Sequence, residues 1–139
     1  MPLTARRLNG NNCAVSTHVP PFTDFAGLYG WASAMNSRPP FDLPPSWAVR
    51  KSRLNPATPL NFVSTDDIIG GNSGSPVVNR AGEFVGIIFD GNLESLPWDY
   101  AYGDKQGRAT SVDSAAILQA LDKIYGAKAL TRELRNGHE

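Results

Sequence analysis

Apolar residues along this chain fall into short blocks separated by prolines, glycines and polar runs, and their spacing changes from block to block. Phe25, Leu28, Tyr29, Trp31 and Ala32 recur at helical intervals behind Thr23-Asp24, a pair suited to capping a helix. This predicts a helix over 24–36, closed by Pro39-Pro40. Pro44-Pro45 opens a second, shorter helix over 45–53, with Trp47 and Val49 as packing residues. Leu60 to Ser64 has strand character. The clearest pattern lies in 74–92, where Pro76-Val77-Val78 and Phe84-Val85-Gly86-Ile87-Ile88-Phe89 flank Asn79-Arg80-Ala81-Gly82-Glu83, a run suited to a tight turn. A β-hairpin is predicted there. Residues 92–110 read as loop, anchored by Trp98, Tyr100 and Tyr102. A last helix is predicted from Ser111-Val112-Asp113, capped by Ser111 or Asp113, with Ile117, Leu118, Leu121 and Ile124 as its apolar face. Gly126 interrupts it before helix resumes over 127–135. Residues 1–17 show no periodicity and are expected to be disordered, leaving 18–139 as the folded part.

Composition removes several function classes. Thirteen basic and thirteen acidic residues cancel, and no basic run is present to neutralise a phosphate backbone, so no nucleic-acid partner is expected. No apolar stretch approaches the ~20 residues of a membrane span, and Met1 to Asn12 lacks the apolar core of a signal peptide. The single cysteine, Cys13, excludes an intrachain disulfide and any multi-cysteine metal site. His18 and His138 have no ligand-like neighbours, so neither a metal nor another cofactor is expected.

Chemistry concentrates in Gly70-Gly71-Asn72-Ser73-Gly74-Ser75-Pro76. Acyl transfer at a peptide needs a positioned nucleophile, a base to take its proton, and donors for the developing oxyanion. Glycines on both sides of Ser73 allow a tight turn that exposes its hydroxyl while its own amide points inward. In the chymotrypsin arrangement the oxyanion donors are the amides of the nucleophile and of the residue two before it, here Ser73 and Gly71. A Gly/Ser-rich turn between strands is the plain structural alternative. The longer string, running through Pro76-Val77-Val78 into a hairpin that ends Val-Gly-Ile, is far more specific than Gly-x-Ser-Gly alone. A phosphate-cradling loop would need a Lys-Ser/Thr that is absent. The base is what the sequence lacks. Prolines and helix-like segments fill the interval from His18 to Ser73, His138 lies in a polar tail, and neither reads as a catalytic base.

Two strings, Asn61-Phe62-Val63-Ser64-Thr65-Asp66-Asp67-Ile68-Ile69 with the Ser73 loop that follows, and Gly86-Ile87-Ile88-Phe89-Asp90-Gly91-Asn92-Leu93-Glu94-Ser95, resemble the C-terminal part of the bacterial dipeptidyl-peptidase 7 and 11 family. The likeness runs from about Pro20 to about Leu134. It implies a mixed β and α fold, the C-terminal half-barrel portion of a chymotrypsin-like double β-barrel with flanking helices. It implies a serine exopeptidase that releases dipeptides from peptides with a free N-terminus, with Ser73 as nucleophile and Asp90 binding the substrate's α-ammonium. An arginine after that aspartate goes with acidic P1 side chains and a glycine with apolar ones, so Gly91 implies an apolar P1 and the dipeptidyl-peptidase 7 branch. Asp67, six before Ser73, would suggest basic P1 specificity by analogy with trypsin, but its setting resembles this family instead. The family's histidine, aspartate, first barrel and helical domain are expected upstream of residue 1, which makes this chain inactive alone. The resemblance further implies a periplasmic or cell-surface parent and a homodimeric assembly. Two alternatives stand beside it: a glutamyl-endopeptidase-like serine protease, which also carries Gly-Asn-Ser-Gly-Ser-Pro, and a non-catalytic truncated binding module.

Overall fold

The structure, a computed structural model, describes residues 20–137. The expected disorder of 1–17 therefore falls outside the described residues, as do Cys13, His18 and His138. The described chain runs β1 (Phe22–Asp24), α1 (Phe25–Ala34), α2 (Pro45–Arg50), β2 (Pro59–Ser64), β3 (Pro76–Val78), β4 (Phe84–Gly91), β5 (Ala109–Asp113), α3 (Ser114–Gln119) and α4 (Lys128–Asn136). A 3-10 turn extends α2 over Lys51–Arg53, a 3-10 helix covers Leu93–Asp99, and a π-helical turn covers Ala120–Tyr125. Among the described residues the strands form one antiparallel sheet in the order β1-β2-β5-β4-β3. The mixed β and α expectation holds.

α1 starts where the sequence indicates, because the Asp24 carboxylate accepts the Gly27 amide at 2.7 Å. It ends earlier than predicted. Asn36 and Ser37 take φ of 54° and 50°, turning the chain before Pro39-Pro40 is reached. Phe25, Tyr29 and Ala32 are buried, and they share a core with Leu54, Ala116 and Ile124. Trp47 packs on Phe25 with ring centroids 6.0 Å apart, whereas Val49 is 81% exposed and stands outside the core. The Tyr29 hydroxyl donates to the Trp47 carbonyl at 2.8 Å, and the Arg50 guanidinium donates to the Ile124 carbonyl. These contacts tie α1, α2 and the C-terminal helical segment into one cluster joined to the sheet through Leu60 of β2.

The predicted start of the last helix is corrected. Ser111, Val112 and Asp113 belong to β5, which sits in the middle of the sheet and pairs with β2 on one side and β4 on the other. A central strand gains two ladders of backbone hydrogen bonds, and this outweighs the local helix signal. The helix begins one residue later, and Asp113 is its cap, its carboxylate accepting the Ala115 amide at 2.8 Å. Gly126 ends the π-helical turn at φ 70°, and α4 resumes at Lys128.

β4 crosses β5 closely at Gly86. A Cβ there would lie 2.4 Å from the Val112 carbonyl oxygen and 2.7 Å from the Phe62 ring, so only glycine admits this approach. β3 forms the edge of the sheet opposite β1, and the Ser73 loop leads directly into it. Among the described residues no helix is long and apolar enough to cross a membrane.

Candidate active site

The Ser73 loop is built mainly from its own backbone. The Asn72 side chain accepts the Ile69 amide at 2.8 Å, the Asn72 amide donates to the Ile69 carbonyl, and the Ser75 amide donates to the Asn72 carbonyl. Gly71 and Gly74 adopt φ of 99° and 91°, conformations that favour glycine strongly. Cross-strand bonds then fasten the loop to β4: Gly74 N donates to Ile88 O at 2.8 Å, and Ile88 N donates to Ser75 O at 3.0 Å. Ser73 itself is exposed, and its hydroxyl donates to the Phe89 carbonyl at 3.3 Å. Such a bond is long for O–H···O and holds the hydroxyl only weakly. Among the described residues, the Gly71 and Ser73 amides donate to no protein acceptor.

Phe89 offers its carbonyl because of a bulge. Ile88 pairs with Ser111 and Asp90 with Thr110, so Phe89 is the extra residue on β4. The two residues that follow are those singled out in the sequence. Asp90 is exposed, and its carboxylate accepts the Gly91 amide at 2.8 Å, which fixes the direction of the group. Gly91 is half-buried above Ser95, and a Cβ there would meet the Ser95 hydroxyl at 2.3 Å and the Arg108 carbonyl at 3.4 Å. Ser73, Asp90 and Gly91 border one cleft of about 280 Å³, with Ile69, Ile88 and Leu96 among its apolar residues. Gly71 is in the loop beside it, but its exposed Cα does not line the cleft. Asp67 is exposed and outside the lining.

The cleft's far wall is a part the sequence reading left as loop. Asn92 staples its base: its amide donates to Arg108 O at 2.9 Å, its side chain accepts from Arg108 N at 2.7 Å, and the same side chain donates to Gln106 O at 2.8 Å. The Ser95 hydroxyl donates to Asn92 O at 2.7 Å. Trp98 is buried beneath the 3-10 helix, donates to Gly103 O at 3.0 Å and packs on Gly107 so closely that a Cβ there would lie 2.4 Å from the indole. Tyr102 lies against Trp98 at 5.2 Å and donates to the Thr65 carbonyl at 2.7 Å, tying the excursion to the segment leading into the Ser73 loop. Trp98 and Tyr102 thus anchor as predicted, but Tyr100 is 94% exposed and does not. Nothing in the local sequence pattern marked Ser95, Leu96 or Asp99 as cleft residues.

No histidine accompanies Ser73 among the described residues. The chain has two histidines, and both lie outside them. Asp66, the carboxylate nearest in sequence with a side-chain partner, accepts the Ser64 hydroxyl at 2.7 Å and makes no bond to Ser73. Nor do the described residues hold a group of three or more side chains able to bind a metal.

The chain is 46% identical over 76 residues to dipeptidyl-peptidase 7 of Phocaeicola vulgatus, a match covering 55% of this chain and 10% of that protein. It is 44% identical over 78 residues to an Asp/Glu-specific dipeptidyl-peptidase of Shewanella putrefaciens, covering 56% of this chain and 11% of that one. A crystal structure of Porphyromonas endodontalis DPP11 in complex with dipeptide Arg-Glu superposes with a TM-score of 0.69 at 27% identity, over 85% of this chain and 18% of that chain. The chain spans about a tenth of the length of the curated relatives it matches. The family described as Peptidase S46 matches residues 4–136, so the chain belongs to the Peptidase S46 family.

Proposed function

We propose that this chain is the nucleophile-bearing part of a serine dipeptidyl-peptidase, the C-terminal half-barrel of a chymotrypsin-like double barrel. The observation that supports the reading is that exposed Ser73, whose hydroxyl reaches the Phe89 carbonyl, borders one cleft with Asp90 and Gly91. Ser73 Oγ attacks the carbonyl carbon of the substrate's second residue, and the amides of Gly71 and Ser73 receive the oxyanion. The peptide downstream leaves as an amine, and water then releases the dipeptide from the acyl-enzyme. Asp90 pairs with the α-ammonium, which limits the enzyme to free N-termini and to a two-residue product. The cleft beside Gly91 is apolar at Ile69, Ile88 and Leu96 and carries no cationic side chain, which suits an apolar P1 residue. The proton of Ser73 goes to a base that residues 20–137 do not contain, so hydrolysis by this chain alone is not expected.

The test replaces the matching segment of the Phocaeicola vulgatus dipeptidyl-peptidase 7 with residues 20–137 of this chain. The hybrid is expected to release dipeptides from Ala-Leu-aminomethylcoumarin and to ignore its N-acetylated form. Equal turnover of the acetylated substrate would overturn the exopeptidase reading.

A further inference from the structure

The wall of the cleft facing the Ser73 loop is the 3-10 helix Leu93–Asp99, which contributes Ser95, Leu96 and Asp99 to the lining. A 3-10 helix has three residues per turn, so Leu96 and Asp99 lie one above the other on the same face, about 6 Å apart along the axis. The helix is held at both ends of its cleft side. Ser95 is bonded to the Asn92 carbonyl, and buried Trp98 is bonded to the Gly103 carbonyl. The lining contains two carboxylates, Asp90 and Asp99, and no lysine, arginine or histidine. Asp90 has a role in the dipeptidyl-peptidase reading and Asp99 has none.

From this we infer that Asp99 is a specificity-determining residue that pairs with a cationic P1 side chain and rejects an acidic one. The inference rests on the dipeptidyl-peptidase reading of the same site and extends its substrate class. An apolar stem lying along Ile88 and Leu96 and ending in a positive group matches the order of apolar and anionic residues on the helix face. Lysine and arginine have that form. Leucine and other apolar residues use the stem portion alone. A P1 glutamate or aspartate would bring a third negative charge into a cleft with no counter-charge. At Gly91 an added Cβ would lie 2.3 Å from Ser95 Oγ, so a larger residue there requires that hydroxyl to turn away from its Asn92 bond.

The test titrates the full 139-residue chain with Ala-Lys-amide, Ala-Leu-amide and Ala-Glu-amide, together with their N-acetyl forms, and follows binding by NMR. Wild type is expected to bind Ala-Lys-amide at least about tenfold more tightly than Ala-Glu-amide. In Asp99→Asn the ratio is expected to fall below about threefold, and in Asp99→Glu to be retained. Asp67→Asn, outside the cleft, is expected to keep the ratio, which separates a local pairing from the general field of the surface. An unchanged ratio in Asp99→Asn, or an equal loss in Asp67→Asn, would overturn the inference while leaving the dipeptidyl-peptidase reading intact. Binding that is indifferent to N-acetylation, or no binding of Ala-Leu-amide, would overturn that reading and the inference with it.

Discussion

Ser73 donates its hydroxyl to the carbonyl of Phe89 at 3.3 Å, across the junction between the Ser73 loop and a bulge in β4. The bulge has two effects. It withdraws Phe89 from the regular ladder, and it re-aims Asp90 and Gly91 toward the cleft that Ser73 borders. The Ser73 loop and the Asp90-Gly91 end of β4 are thereby held by the same hairpin, through the Gly74–Ile88 and Ser75–Ile88 bonds.

Asn92 holds the far wall of that cleft. Asn92→Ala removes an acceptor for Arg108 N and a donor to Gln106 O, and is expected to cost about 1–3 kcal/mol of stability. Asn92→Asp keeps the acceptor and is expected to cost less. Thermal melts of the two variants check the order, and faster amide exchange at Arg108 in Asn92→Ala alone checks the cause. Equal exchange in both variants would show that this side chain does not hold the wall.

Gly86 marks a close backbone approach between β4 and β5. Gly86→Ala places a methyl against the Val112 carbonyl, which is backbone and cannot turn aside, and against the Phe62 ring. A loss of ~2 kcal/mol is expected, as for overpacking at other close contacts. Denaturant unfolding gives the value. A wild-type midpoint in the variant would mean that β4 and β5 are not this close.

Ser111 is fully buried in β5, and its hydroxyl has no hydrogen-bond partner among the described residues. Removing an unsatisfied buried hydroxyl relieves a desolvation penalty. Ser111→Ala is expected to leave stability unchanged or to raise it by up to ~1 kcal/mol. A drop of more than ~1 kcal/mol in the same unfolding measurement would show that the hydroxyl is bonded.

The elements most legible in the sequence were those with local causes. The Asp24 cap, the β3–β4 hairpin and the glycines of the Ser73 loop each follow from residues within a few positions, and the structure contains all three. β5 was not legible, because Thr110-Ser111-Val112 borders a capped helix and owes its strand form to partners distant in sequence. The same reason hid half the site. Ser73, Gly71, Asp90 and Gly91 stand in recognisable strings, but Leu96 and Asp99 face the cleft only because Asn92, Trp98 and Tyr102 fold residues 92–108 back upon it.

The central claim is that Ser73 is an acylable nucleophile, completed by a base from outside the described residues. Fluorophosphonate labelling of the hybrid enzyme, located by peptide mass spectrometry, tests it most directly. The account predicts a covalent adduct on Ser73, lost in Ser73→Ala and absent from the isolated 139-residue chain. Labelling of the isolated chain at Ser73 as strong as in the hybrid, or an active hybrid whose Ser73→Ala form still turns over substrate, would contradict it.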